Sequence, residues 1–65
     1  MSEQRVWRVL VADDDYLVLD VIAHQIEKLG HIVVGRASDG RQAVDMAAAL
    51  QPDIVLMDIQ MPEMD

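Results

Sequence analysis

The sequence alternates short aliphatic runs with longer segments of helical periodicity, in the order strand, helix, strand, helix, strand. The predicted strands cover about residues 6–12, 32–36 and 53–57, and the predicted helices cover about residues 15–29 and 40–50. Strands that are apolar along their whole length are typical of parallel sheets with both faces covered, and the crossovers between such strands are right-handed. The alternation therefore predicts an α/β fold with a βαβαβ arrangement.

Capping residues support the predicted helix boundaries. Asp14 or Asp15 stands where the first helix needs an N-cap, and Gly30 follows its last periodic residue. Asp39 precedes the second helix with Gln42 three residues later, a spacing that resembles a capping box. Both helices are therefore expected to begin at an aspartate.

The strand order decides which acidic residues meet. If the chain winds one way and then reverses, the order is 2-1-3 and a crevice forms beyond the carboxyl ends of the first and third strands. Asp13 and Asp14 follow the first strand and Asp58 follows the third, so all three would lie at that crevice. Winding in one direction would put both helices on one face and scatter these acids, and the residues alone leave that arrangement open.

Three carboxylates at one edge of a sheet suggest a cation site. Converging carboxylates repel one another unless a cation lies among them or their pKa values rise. Oxygen ligands suit Mg²⁺ or Mn²⁺, and a divalent cation beside an aspartate also makes that aspartate a usable phosphoryl acceptor. Acids between a strand and a helix are also ordinary N-caps, so the chemistry alone leaves a metal-dependent site and plain capping both open.

Charge and cysteine content exclude several classes of protein. Twelve acidic residues against five Lys and Arg give a net charge of −7, which disfavours nucleic acid and anionic membrane surfaces as partners. The chain has no cysteine, which excludes disulfides and thiolate zinc sites. Residues 1–8 lack the apolar core of a signal peptide, and no apolar run approaches the ~20 residues that span a bilayer. We therefore expect a cytoplasmic protein without membrane contact.

Taken together, three segments resemble the receiver domain of two-component response regulators. They are residues 9–15, 37–43 and 53–65, the last of which contains an aspartate followed by Met-Pro. The order and spacing match from about Arg8 onward. The resemblance implies a flavodoxin-like parallel sheet, whose full strand order is 2-1-3-4-5.

The resemblance also implies a role for each acidic residue. Asp58 is expected to be the phosphoacceptor. Asp13, Asp14 and Asp58, with the backbone carbonyl of Gln60, are expected to hold Mg²⁺ or Mn²⁺. The expected phosphoryl donor is a sensor histidine kinase, and the chain is expected not to be an enzyme beyond Mg²⁺-dependent self-phosphorylation at the aspartate. Asp15 matches no ligand of the family and is expected to be a cap or a surface residue.

The chain departs from the family pattern in its length. A complete receiver has roughly twice as many residues, so residues 1–65 are expected to be the truncated, N-terminal half of one. The family's switch Ser or Thr and its active-site Lys follow later strands and have no counterpart here. The one lysine, Lys28, stands at the far end of the first helix from the acids. We therefore expect this piece to accept phosphate poorly or not at all.

An alternative function avoids phosphoryl chemistry altogether. With three strands in the order 2-1-3, the third strand would be an open and wholly apolar edge. Such an edge favours pairing with another chain. The chain is then a short interaction module that self-associates through the exposed sheet edge.

Overall fold

The computed structural model describes residues 5–57 and shows a three-stranded parallel sheet in the order β2-β1-β3. The elements are β1 (Arg8–Ala12), α1 (Tyr16–Lys28), β2 (Ile32–Ala37), α2 (Gly40–Leu50) and β3 (Ile54–Met57). The order 2-1-3 predicted from a reversal in winding is confirmed, and the one-way winding is wrong. Neither helix in this part of the chain is long and apolar enough to cross a membrane.

The first strand begins two residues later than the predicted 6–12. The backbone N–H of Trp7 donates to Nδ1 of His31 at 3.1 Å, while the Trp7 carbonyl accepts from the backbone of Ile32 at 2.9 Å. The imidazole of His31 thus accepts the backbone N–H that would otherwise pair with β2. Regular pairing between β1 and β2 therefore starts at Arg8. The other boundaries agree with the predicted ones to within one residue.

Both helices begin at an aspartate, and α1 ends before a glycine, as the sequence predicts. Of the two candidates before α1, Asp15 is the N-cap, and its Oδ1 accepts from the backbone of Leu17 at 2.9 Å. Asp39 caps α2 through a 2.7 Å bond from the backbone of Gln42. The chain leaves α1 through Gly30, whose φ of 94° suits a residue without Cβ.

Helix α1 covers one face of the sheet with large aliphatic side chains. The buried members of this cluster are Val9, Val11, Leu19 and Ile26. Partly buried side chains at its margin are Trp7, Ile22, Val33 and Ile54. This face is an ordinary helix-on-sheet core in which branched side chains fill the space between the layers.

Helix α2 covers the other face, where the buried cluster is made of smaller side chains. Its buried cluster consists of Ala12, Ala37 and Ala43. A Cβ built on Gly35 would lie 2.6 Å from Cε of Met46 and 3.0 Å from Cδ1 of Leu50. The ends of the Met46, Leu50 and Leu10 side chains therefore fill the space that Gly35 leaves open.

A register shift in β2 directs Gly35 toward α2. Val9 pairs with Val33, but Leu10 pairs with Gly35, so Val34 is an extra residue at a bulge. Side chains alternate along a strand, and the extra residue reverses the alternation. Val33 consequently joins the α1 face while Gly35 faces α2.

Hydrogen bonds from the Arg8 side chain connect the start of β1 to the end of α2. Its Nη1 donates to the carbonyl of Gln51 and its Nη2 to the carbonyl of Leu50, both at 2.8 Å. The last carbonyls of a helix have no partner within the helix and attract a cation. This contact accounts for an arginine in an otherwise apolar strand.

Candidate functional site at the carboxyl ends of the strands

Asp13 is the buried acidic residue of the described part of the chain. It follows β1 directly, and its side chain and backbone together are 5% exposed. Its backbone N–H donates to the carbonyl of Ala37 at 3.0 Å, which continues the pairing with β2 past the end of the strand. The carboxylate is therefore held at the carboxyl end of the central strand.

Three consecutive aspartates take three different roles. Oδ1 of Asp13 accepts from the backbone N–H of Asp15 at 2.9 Å, which fixes the orientation of the buried carboxylate. Asp14 is exposed, and Asp15 caps α1. The bond between Asp13 and Asp15 was not predicted; an aspartate two residues before an N-cap is the signal that would have found it.

The pair Asp13 and Asp14 fits part of a divalent cation site. One carboxylate is anchored and nearly buried and its neighbour is exposed to solvent, and Mg²⁺ prefers such carboxylate oxygens and keeps several of its waters. Two acidic side chains do not complete a site. Within residues 5–57, no three His, Cys, Asp or Glu side chains are grouped closely enough to hold a metal.

The remaining predicted ligands, Asp58 and Gln60, lie outside the described residues. The last residue of β3 is Met57, which pairs with Ala12, the residue before Asp13. The described strands thus bring the carboxyl ends of β1 and β3 together, as the strand order predicts. The roles of Asp58 and Gln60 stay predictions.

A cavity of about 430 Å³ lies beside Asp13. Its other lining residues are Ala12, Ile22, Leu56 and Met57, all apolar. The cavity lies between the exposed end of β3 and α1. The carboxylate of Asp13 is the one charged group among its lining residues. Sequence reasoning did not predict this cavity, because it depends on how far α1 lies from the edge strand.

Lys28 lies in the last turn of α1, at the opposite end from Asp15 and Asp13. An α-helix of 13 residues is about 20 Å long at the standard rise of 1.5 Å per residue. Lys28 is therefore out of reach of the acids, as the sequence predicted. Among the described residues, the one salt bridge joins Arg36 and Asp20, away from Asp13.

A parallel sheet in the order 2-1-3, with helices on both faces and Asp13 and Asp14 at the carboxyl end of its central strand, defines a flavodoxin-like α/β protein. The family model described as "Response regulator receiver domain" matches residues 9–65. The chain belongs to the family of response regulator receiver domains.

Curated relatives agree with this assignment. The chain is 41% identical over 58 residues to the transcriptional regulatory protein PdtaR of Mycobacterium tuberculosis, covering 89% of this chain and 28% of PdtaR. It is 47% identical over 58 residues to the chemotaxis protein CheY of Thermotoga maritima, covering 89% of this chain and 48% of CheY. The chain thus spans less than half the length of either relative.

Solved structures show the same fold. The anti-anti-sigma factor PhyR from Bartonella quintana superposes with a TM-score of 0.87 at 34% identity, covering 94% of this chain and 25% of PhyR. The response regulator PhyR from Brucella abortus gives a TM-score of 0.85 at 33% identity, covering 92% of this chain and 25% of that protein. The predicted receiver fold is confirmed.

Proposed function

We propose that this chain is the phosphoryl-accepting part of a response regulator, with Asp58 as the acceptor. The family match carries the proposal, because its matched segment includes Asp58 together with Asp13 and Asp14. The described geometry supports it, since β1 ends at a buried, oriented Asp13 beside the strand that leads to Asp58.

The proposed ligands of Mg²⁺, or of Mn²⁺, are the carboxylates of Asp13, Asp14 and Asp58 and the backbone carbonyl of Gln60. Receiver domains generally bind Mg²⁺. When bound, the cation neutralises negative charge on the incoming phosphoryl oxygens. The backbone N–H of Asp15 already fixes the orientation of the Asp13 carboxylate at this end of β1.

The proposed partner is a sensor histidine kinase that carries a phosphohistidine. A carboxylate oxygen of Asp58 attacks phosphorus, the P–N bond breaks, and the imidazole leaves with the bond's electron pair and takes up a proton. The product is an acyl phosphate on Asp58. The chain is then a substrate and a switch rather than an enzyme acting on other molecules.

We further propose that the 65 residues alone accept phosphate slowly. The sequence contains no threonine, Ser38 follows β2 and bonds Gln42 at the start of α2, and the one lysine is at the far end of α1. The switch hydroxyl and active-site lysine implied by the family resemblance thus have no counterpart. Some relatives are named protein-glutamate methylesterases, but this chain spans 15% to 17% of three of them, and that activity is theirs.

Acetyl phosphate and intact-mass measurement test the acceptor. With Mg²⁺, we expect a small fraction of the chain to gain one phosphoryl group, and none of the Asp58→Asn variant to do so. Asp45→Asn, at an exposed position of α2, is the matched control and should gain as much as the parent chain. A gain that survives Asp58→Asn would contradict the acceptor, and rapid stoichiometric gain would contradict slow acceptance.

Mn²⁺ titration tests the metal site without any phosphoryl transfer. Bound Mn²⁺ broadens nearby amide signals in NMR spectra, so we expect early loss of the Asp13 and Asp14 signals. The amides of Lys28 and Gln51, at the other end of the sheet, should persist. Uniform broadening along the chain would show that the acids form no specific site.

One observation favours a second candidate function, pairing of the sheet edge with another polypeptide. Val55 and Leu56 on β3 are 41% and 43% exposed, whereas their partners Leu10 and Val11 on β1 are fully buried. Light scattering over a range of concentrations tests this proposal, because edge pairing predicts a particle larger than one chain. A monomer at every concentration would contradict self-association.

A further inference from the structure

The link between β1 and α1 consists of three aspartates, and hydrogen bonds hold it at both ends. Asp13, Asp14 and Asp15 alone separate the two elements. The backbone N–H of Asp13 donates to the carbonyl of Ala37 at 3.0 Å, which fixes the start of the link to β2. Oδ1 of Asp13 accepts from the backbone N–H of Asp15 at 2.9 Å. The orientation of the buried carboxylate therefore depends on where the backbone of Asp15 lies.

The first turn of α1 holds Asp15 by two further bonds. Its side-chain Oδ1 accepts from the backbone N–H of Leu17 at 2.9 Å, and its carbonyl accepts from the backbone N–H of Leu19 at 3.0 Å. An N-cap side chain of this kind satisfies a helical N–H that has no partner within the helix. The Asp15 side chain thus connects the helix to the residue that orients Asp13.

The start of α2 shows the same cap without this connection. Oδ1 of Asp39 accepts from the backbone N–H of Gln42 at 2.7 Å, as Oδ1 of Asp15 does from that of Leu17. Two residues before Asp39 the chain has Ala37, which is fully buried and has no polar side chain. The two caps therefore stabilise their helices in the same way, but the one on α1 also acts on a carboxylate.

We infer that Asp15 is a positioning residue for the proposed metal site, acting through Asp13 and not as a ligand. The inference rests on the proposed function, in which Asp13 is one of the ligands of Mg²⁺ or Mn²⁺. A carboxylate that accepts one hydrogen bond keeps acceptor capacity for a cation. Groups that orient a metal ligand commonly raise metal affinity without touching the metal. The cap on α1 thereby couples the docking of the helix to the geometry of the site.

Asp15 could also act on a cation through its charge, and the two roles need different properties of the side chain. Attraction by charge needs an ionised carboxylate, whereas capping needs only an oxygen that accepts from Leu17. Asparagine supplies that oxygen without the charge. Asp15→Asn therefore separates the two roles, since it keeps the cap and removes the charge.

The dissociation constant for Mn²⁺, measured by water proton relaxation, tests the inference with the metal alone as the probe. We expect Asp15→Ala to raise it at least about tenfold, because Asp13 is no longer held in one orientation. Asp15→Asn should raise it by at most about threefold, since only one solvent-screened charge is lost. Asp39→Ala is the matched control, because it also removes a cap and a charge, and the same threefold limit should hold.

Amide hydrogen exchange tests the hydrogen bonds without any metal. Exchange at the backbone N–H of residue 15 should quicken in Asp15→Ala and stay slow in Asp15→Asn. Circular dichroism melts show whether each variant is folded, and the two alanine variants should melt at similarly lowered temperatures. If Asp15→Ala does not fold, Asp15→Gly replaces it, because glycine at an N-cap costs less stability than alanine.

The outcomes separate this inference from the proposed function. A parent chain that binds no Mn²⁺ would overturn the proposed metal site and the role of Asp15 together. Mn²⁺ binding that Asp15→Ala leaves unchanged, or unchanged exchange at residue 15, would overturn the role of Asp15 alone. Equal weakening by Asp15→Asn would show that its charge acts and not its cap. Equal weakening by Asp39→Ala would show a general effect of lost stability, which also contradicts the inference.

Discussion

The two faces of the sheet reach the same degree of burial by opposite means. On the α1 face, the buried cluster contains large branched side chains such as Val11 and Leu19, and we call it the wide layer. On the α2 face, the buried cluster consists of alanines such as Ala12 and Ala43, and we call it the narrow layer; the end of the Met46 side chain fills the space beside Gly35. A wide layer is sensitive to loss of volume, and a narrow layer is sensitive to its gain.

The difference bears on the acidic crevice. The backbone N–H of Leu19 donates to the carbonyl of Asp15 at 3.0 Å in the first turn of α1, and its side chain is buried in the wide layer. Asp15 in turn orients Asp13. Packing on the α1 face therefore supports Asp13 through Asp15, whereas the narrow layer joins α2 to β2.

The largest expected effect is loss of volume from the wide layer. Leu19→Ala removes a buried side chain that is 3% exposed, and we expect the free energy of unfolding to fall by about 3 kcal/mol. Leu17→Ala, in the same helix at a site 75% exposed, is the control and should change it by less than about 0.5 kcal/mol. Equal effects in urea unfolding would show that α1 is not docked as described.

A gain of volume in the narrow layer should rank next. Ala43→Leu adds three carbons at a position 1% exposed, and we expect a loss of about 2 kcal/mol, because overpacking displaces neighbouring side chains. Ala48→Leu, on the exposed side of α2, has similar helix propensity and should be nearly neutral. If thermal melts of the two variants coincide, the layer is looser than the contacts of Gly35 indicate.

A smaller effect is expected at the link between β1 and the end of α2. Arg8→Met keeps the apolar stem but removes both bonds to the carbonyls of Leu50 and Gln51, and we expect a loss of about 1 to 2 kcal/mol. Arg41→Met, at an exposed position of α2, is the matched control. Hydrogen exchange should quicken chiefly in the last turn of α2. A change spread over the whole helix would indicate that Arg8 does more than cap it.

The smallest effect is expected at the ion pair across the β2 edge. Arg36 and Asp20 are 47% and 68% exposed in their side chains, so solvent screens the pair strongly. We expect Asp20→Asn to reduce stability by less than about 1 kcal/mol, and the difference to shrink in high salt. A larger loss of stability that persists in high salt would mean that Asp20 stabilises the fold by more than a screened ion pair with Arg36.

Much of the fold was predictable because its signals are local. Asp39 and Gln42 marked the start of α2 correctly, and Gly30 marked the end of α1. The residues alone left two windings open, and the family resemblance agreed with the order 2-1-3 that the structure confirms. For the site, Asp13 and Asp14 lie at the expected end of β1, while Asp58 and Gln60 stay predictions.

Other features depend on contacts between distant residues. The bulge at Val34 depends on which residue of β2 pairs with Leu10, and the start of β1 depends on an imidazole 24 residues away from Trp7. Neither leaves a periodic pattern in the sequence. The role of Arg8 likewise appears only once β1 and the end of α2 lie side by side.

The sequence by itself determined the elements, their caps, the family and the acids that end β1. Propensity, capping and periodicity act over a few residues, and their effects can be read along the chain. The tertiary structure alone decided which of three adjacent aspartates is buried, which residue of β2 forms the bulge and which side chains fill the space beside Gly35. Those outcomes depend on packing across the sheet, where the volume and register of residues far apart in the chain must be satisfied together.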